Sequence, residues 1–125
     1  MIDDTYNANP TSVNAAVDIL TGFAGRTVLV LGDIGELGDW AEQGHRDVGA
    51  YAAGKVSALY AVGPLMVHAV NAFGEHARHF ANQTDLIAAL GAEQDTQTTI
   101  LIKGSRSAAM ENVVAALCGS SLEKH

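Results

Sequence analysis

Lys103, Ser105 and Arg106 fall within five residues, KGSRS (103–107), between a β-rich run and a stretch of helical spacing. Gly104 lets a backbone come close to a ligand, and the free N–H groups at a helix start favour an anion. Arg106 carries a planar fork that matches a carboxylate or a phosphate. Plain structural roles also exist: Ser105 as a cap, Lys103 as a strand-end charge, Arg106 as a solvated first-turn residue. Two cations at a helix start oppose the helix dipole, however, and that pairing asks for another reason. A second stretch, GDIGELG (32–38), sets Asp33 and Glu36 among glycines at 32, 35 and 38. The spacing is not GxGxxG, and no GxxxxGK[ST] occurs anywhere in the chain. A tight strand-to-helix connection and a functional acidic loop explain it equally well. The third stretch, DDTYNANP (3–10), groups Asp3, Asp4, Tyr6, Asn7 and Asn9 ahead of Pro10. A carboxylate here can accept from sugar hydroxyls, and Tyr6 can stack or hydrogen-bond. An Asx turn with an N-cap uses Asn9 and one Asp, but it does not account for four Asx residues and a tyrosine together.

The other reactive side chains point to packing. His45 faces Gly49 and Ala52 at helical spacing, which favours a core or helix-packing histidine over a ligand. His76 and His79 form HARH without an evident third ligand, so a metal site is not expected. No GxSxG elbow or Ser/His/Asp arrangement is readable. Met66 and Met110 take ordinary helix positions near the core.

Two periods alternate along the chain and must position these stretches. TVLVLG (27–32), SALYAVG (57–63), ARHFA (77–81) and TTILIKG (98–104) read as buried strands, and residues 2–5 as a further short one. Helical patterns cover 10–23, 40–55, 65–74, 84–92 and 107–118, the first with Asn9 as N-cap and Pro10 at the first helical position. Such alternation implies a three-layer, Rossmann-like α/β domain with a mostly parallel sheet of five or six strands. Ligands of open parallel sheets bind beyond the carboxyl ends of the strands. That rule selects the loops after TVLVL, ALYAV and TILI, and two of the three carry complementary charges: Asp33 and Glu36 on one, Lys103 and Arg106 on the other.

The bulk composition agrees. A length of 125 residues fits one domain, and 48% hydrophobic residues can sustain a core. No apolar run approaches the roughly 18 residues that span a bilayer, and no signal-peptide pattern is present. Cys118 is alone, which leaves no disulfide framework, and a cytoplasmic protein is the simplest reading. A net charge of −7 argues against a nucleic-acid binder but allows a small anion held by local cations.

DDTYNANPTSVNAAVDIL (3–20), VLVLGDIGELGDWAEQGHRDVG (28–49) and ILIKGSRSAAMENVVAAL (100–117) together resemble the carboxy-terminal domain of the D-alanyl-D-alanine-adding branch of the Mur ligase family. The resemblance runs over nearly the whole chain. It implies a third domain over residues 1–118, with 119–125 as a disordered tail and Met1 as an added start. It implies an ATP- and Mg²⁺-dependent ligation that joins D-Ala-D-Ala to UDP-MurNAc-tripeptide through an acyl phosphate. Asp4, rather than Asp3, would meet the ATP ribose, with Tyr6, Asn7 and Asn9 around the adenine or phosphates. Arg106 would clamp the dipeptide carboxylate with Ser105 and Lys103, and Asp33 or Glu36 would lie nearer the amine. No P-loop lysine, Mg²⁺ ligand of a central domain or UDP-binding domain is readable here, so Mg²⁺ would be held mainly by a central domain that this sequence lacks. The domain alone is expected to be inactive, cytoplasmic and monomeric, with no nucleic-acid or membrane partner. The alternatives are the equivalent domain of a folylpolyglutamate synthetase-like ligase and a free-standing nucleotide-binding or interaction module.

Overall fold

In the run from Thr27 to Gly32 every residue is buried, so both faces of that strand must be covered. Only a central strand with helices on either side meets that demand. The computed structural model describes residues 2–3, 10–34, 38–92 and 98–103, and among them this is what is found. The elements are β1 (Ile2–Asp3), α1 (Pro10–Leu20), β2 (Arg26–Gly32), a 3₁₀ turn (Gly38–Trp40), α2 (Ala41–Ala52), β3 (Ala58–Val62), α3 (Met66–Phe73), β4 (Ala77–Phe80), α4 (Gln83–Gly91) and β5 (Thr98–Lys103). The expected helix at 107–118, the Asn9 cap, Met110 and the tail 119–125 lie outside the described residues.

The described strands form one sheet of five in the order β1-β5-β2-β3-β4, and every pair is parallel. The order decides where the helices go. The steps β1→β2, β2→β3 and β3→β4 all move the same way across the sheet, and right-handed crossovers then place α1, α2 and α3 on one face. The step β4→β5 moves back, so α4 must take the opposite face. The cores follow this division. Leu29, Leu31, Leu59 and Leu101 pack with Val13 and Val17 of α1, Val48 of α2 and Met66 of α3. The alternate residues Val28, Val30, Tyr60, Ile100 and Ile102 pack with Leu86 and Leu90 of α4.

Three helices are shorter than the apolar periodicity suggests, and α4 keeps its expected length but starts one residue earlier. α1 stops at Leu20, where the Thr21 hydroxyl donates to the Asp18 carbonyl at 2.6 Å. α2 stops at Ala52, two residues ahead of Gly54 at φ 78°. α4 begins at Gln83, because Asn82 Oδ1 accepts the Asp85 N–H at 2.9 Å and fixes its start. Gly49 is in mid-helix for a packing reason. A Cβ there would stand 2.2 Å from the Ala69 carbonyl oxygen, so α2 and α3 touch backbone to backbone.

Candidate functional site at the carboxyl edge

All strands being parallel, their carboxyl ends share one edge. The order β1-β5-β2 brings the strand ends from which the three chemistry-bearing stretches leave side by side there, although they lie up to about 100 residues apart in sequence. Asp3, which leads into DDTYNANP, pairs in register one residue before the end of β5, at Ile102. Lys103, which opens KGSRS, pairs with Leu31, and Gly32 follows at once with GDIGELG.

Lys103 is 3% exposed and is not without a partner. A strand-end charge was the plain expectation; an almost fully buried ammonium is uncommon and needs compensation. Asp33 is half-buried, and its carboxylate does something the sequence did not reveal. Oδ1 accepts the N–H of Leu65 at 3.1 Å and of Met66 at 3.2 Å, which satisfies donors at the start of α3. The loop after β3 is built to admit it. Gly63 has φ 115°, and a Cβ on Gly63 would lie 2.4 Å from Asp33 Oδ1. The Gly63–Pro64 connection, the one of the three selected loops without a charged residue, is therefore a seat for Asp33. Asp4, Tyr6, Asn7, Asn9, Glu36, Ser105 and Arg106 lie outside the described residues.

His45 is fully buried on α2. Its Nε2 accepts the Ile34 N–H at 2.9 Å, and Nδ1 lies 2.6 Å from the Ala41 carbonyl. It is a core histidine, as its helical spacing suggests, and both its ring nitrogens are bonded to backbone. His79 Nε2 meets the Gly63 carbonyl at 2.7 Å. Among the described residues, no three His, Cys, Asp or Glu side chains gather to hold a metal ion.

Two features of this end of the molecule went unread in the sequence. Trp40, on the 3₁₀ turn that follows the acidic loop, is 72% exposed. Asn14, one turn into α1, has a buried Oδ1 with no hydrogen-bond partner among the described residues. A buried acceptor left unmade costs roughly 1–3 kcal/mol, so it marks a place where a donor belongs. The signal for Trp40 was present: a lone tryptophan just past a glycine-rich loop.

A cleft of about 340 Å³ opens at the other edge, lined by Phe23, Thr27, Lys55 and Ser57 among others. Its hydroxyls are already committed. Thr27 N–H donates to Ser57 Oγ at 3.0 Å, and Ser57 N–H donates to Thr27 Oγ1 at 3.1 Å. Parallel sheets seldom bind ligands at this end.

A parallel α/β domain with paired polar loops at its carboxyl edge has the form of a Rossmann-type binding domain. The chain belongs to the Mur ligase family, since the family model for the Mur ligase, glutamate ligase domain, matches residues 1–106. The UDP-N-acetylmuramoyl-tripeptide--D-alanyl-D-alanine ligase of Escherichia coli (strain K12) is 48% identical over 122 residues, which make up 94% of this chain and 26% of that protein. The crystal structure I of MurF from Acinetobacter baumannii superposes with a TM-score of 0.82 at 38% identity, over 91% of this chain and 26% of that one. The MurF ligase from Thermotoga maritima in complex with ADP gives the same TM-score at 20% identity, over 98% of this chain and 28% of that one; this likeness concerns the fold. The chain thus spans about a quarter of the length of the relatives it matches.

Proposed function

We propose that this chain is the carboxy-terminal domain of an ATP-dependent ligase that adds D-Ala-D-Ala to UDP-MurNAc-tripeptide in peptidoglycan synthesis. The observation that carries the reading is the meeting of Asp3, Lys103 and Gly32 on one sheet edge, where DDTYNANP, KGSRS and GDIGELG begin, in a chain 48% identical to a ligase of that name. Each stretch then has a task. Asp4, with Tyr6, Asn7 and Asn9, holds the nucleotide. Arg106, backed by Ser105 and the buried Lys103, meets the dipeptide carboxylate, whose desolvation is costly without a cation. Asp33 has Oδ1 occupied at α3, which leaves Glu36 as the acid we assign to the ammonium group. ATP supplies the phosphoryl group that activates the tripeptide carboxyl as an acyl phosphate. The domain holds the dipeptide amine towards that centre, so proximity and orientation are its contribution. Mg²⁺ is assigned mainly to the central domain of the full-length enzyme, as the family resemblance implies. No described helix is long and apolar enough to cross a membrane, and a cytoplasmic monomer is the companion reading.

The test is Arg106→Ala in the full-length ligase. Loss of a charge-assisted pair costs roughly 2–5 kcal/mol, so kcat/KM for D-Ala-D-Ala should fall at least about tenfold while the KM for ATP holds. Asp4→Ala should do the converse and raise the KM for ATP alone. Wild-type dipeptide kinetics in a folded Arg106→Ala enzyme would reduce the KGSRS loop to a structural turn. The 125-residue chain by itself should show no ATP-dependent ligation.

A further inference from the structure

The loop that carries Glu36 begins and ends on one imidazole ring. At one end the Ile34 N–H donates to His45 Nε2 at 2.9 Å; at the other the Ala41 carbonyl lies 2.6 Å from Nδ1. A carbonyl only accepts, so Nδ1 carries the proton. A backbone N–H only donates, so Nε2 must be bare. One neutral tautomer satisfies both contacts. The other tautomer would set two donors face to face at Ile34 and two acceptors at Ala41, and the imidazolium would still oppose the Ile34 N–H.

We propose that His45 is a positioning residue, a clasp that holds the two ends of loop 34–41 at the ligand edge and so fixes the acidic side of the dipeptide site. Ile34 stands two residues past the end of β2, and Ala41 opens α2, so the ring joins the strand exit to the first turn of the next helix. The neighbouring residue adds a second tie, because Asp33 Oδ1 holds the start of α3. Ile34 itself is sunk in the core, which leaves the entry to the loop little freedom. A histidine kept only for volume would not need both ring nitrogens on backbone groups at opposite ends of one connection. An apolar side chain would fill the space but leave the Ile34 N–H buried and unpaired.

This inference rests on the dipeptide reading of the edge, and two measurements separate the clasp from that reading. Long-range proton–nitrogen correlation spectra of the 125-residue chain report the tautomer directly. The expected pattern is a neutral ring protonated on Nδ1; a ring protonated on Nε2, or one exchanging between tautomers, overturns the clasp. The second measurement compares His45→Leu with His45→Gln in the full-length ligase. The glutamine amide oxygen reaches about as far as Nε2 and can accept the same N–H. His45→Leu should lower kcat/KM for D-Ala-D-Ala by about tenfold or more, with the KM for ATP within about twofold, because small displacements of a positioning loop are costly. His45→Gln should recover most of the loss. Equal impairment in both variants, or wild-type dipeptide kinetics in His45→Leu, overturns the positioning role. If His45→Leu does not fold, the tautomer of the unsubstituted chain still decides the clasp. An Nδ1-protonated ring in a ligase that ignores D-Ala-D-Ala would overturn the dipeptide reading and leave the clasp standing.

Discussion

The two edges of the sheet spend their polar groups differently. At the amino edge, Thr27 and Ser57 satisfy each other through reciprocal backbone-to-hydroxyl bonds, and Tyr51 donates to Asp18 Oδ1 at 2.6 Å. These pairs are closed: each group answers a neighbour, and their apolar surroundings include Ile19 and Phe23 on the open surface. At the carboxyl edge, side chains reach across elements to hold loops. His45 binds both ends of one connection, Asp33 seats the start of α3, and Asn14 Oδ1 still lacks a donor among the described residues. Closed pairs stabilise a fold, whereas clamped loops fix the geometry of the edge on which the proposed site lies. The two ends of the parallel sheet thus differ in how their polar groups are spent.

Gly63→Ala should break the carboxyl side of this contrast most severely. The φ of 115° and the 2.4 Å approach to Asp33 Oδ1 combine backbone strain with overpacking, for a loss of about 2–5 kcal/mol in denaturant unfolding. Where the full-length variant still folds, its dipeptide kcat/KM should fall as well, because Asp33 must leave its seat. Thr27→Val tests the amino side. It removes the Thr27 Oγ1 acceptor at 3.1 Å but leaves the Ser57 N–H its bond to the Thr27 carbonyl at 2.9 Å, so it should cost only about 0.5–1.5 kcal/mol. Dipeptide kinetics of the full-length ligase should not change. A Thr27→Val enzyme that loses kcat/KM without losing stability would show that the two edges are not divided in this way.

Much of the fold was legible because the strands announce themselves. TVLVLG and ALYAV are continuous apolar runs, and the described sheet uses them as its interior, β2 and β3. The flanking helices were legible from their spacing, but their ends were not. Thr21 and Gly54 stop α1 and α2 through local turn bonds and a left-handed glycine, which periodicity does not register. Three candidate stretches could be selected from residue type and the carboxyl-end rule, and the described strand order sets their ends at Asp3, Lys103 and Gly32 on one edge. What the sequence could not show is which side chains serve the ligand and which serve the loop. Asp33 looked like an acid for an amine; its bond to α3 depends on Gly63 standing 30 residues away in a neighbouring strand's loop. His45 looked like core and is core, yet its two backbone partners sit 11 and 4 residues back along the chain, and no spacing rule links them.

The smallest expected effect is a pH dependence at the closed amino-edge pair. Tyr51 holds its proton above the ordinary tyrosine value near 10, chiefly because its hydroxyl donates to Asp18, with desolvation and the Asp18 charge adding to the shift. A pKa raised in the folded state means that the folded chain keeps this proton where the unfolded chain has released it. Stability therefore declines as pH climbs through that window, by linkage. The contribution of the pair is whole below the unfolded value and is gone once the phenol ionises in the folded state, where a phenolate would face a carboxylate. Tyr51→Phe lacks the hydroxyl and cannot show this decline. The melting temperature of the unsubstituted chain should exceed that of Tyr51→Phe at pH 7 to 9, and the gap should close and tend to reverse above about pH 10. Glu42–Arg46, an exposed i,i+4 pair on α2, offers a control: its 2.8 Å contact should respond to salt and leave this alkaline crossover in place. A melting-temperature gap that stays constant from pH 7 to 11 would mean that the Tyr51 hydroxyl is solvated and that Asp18 does not hold it.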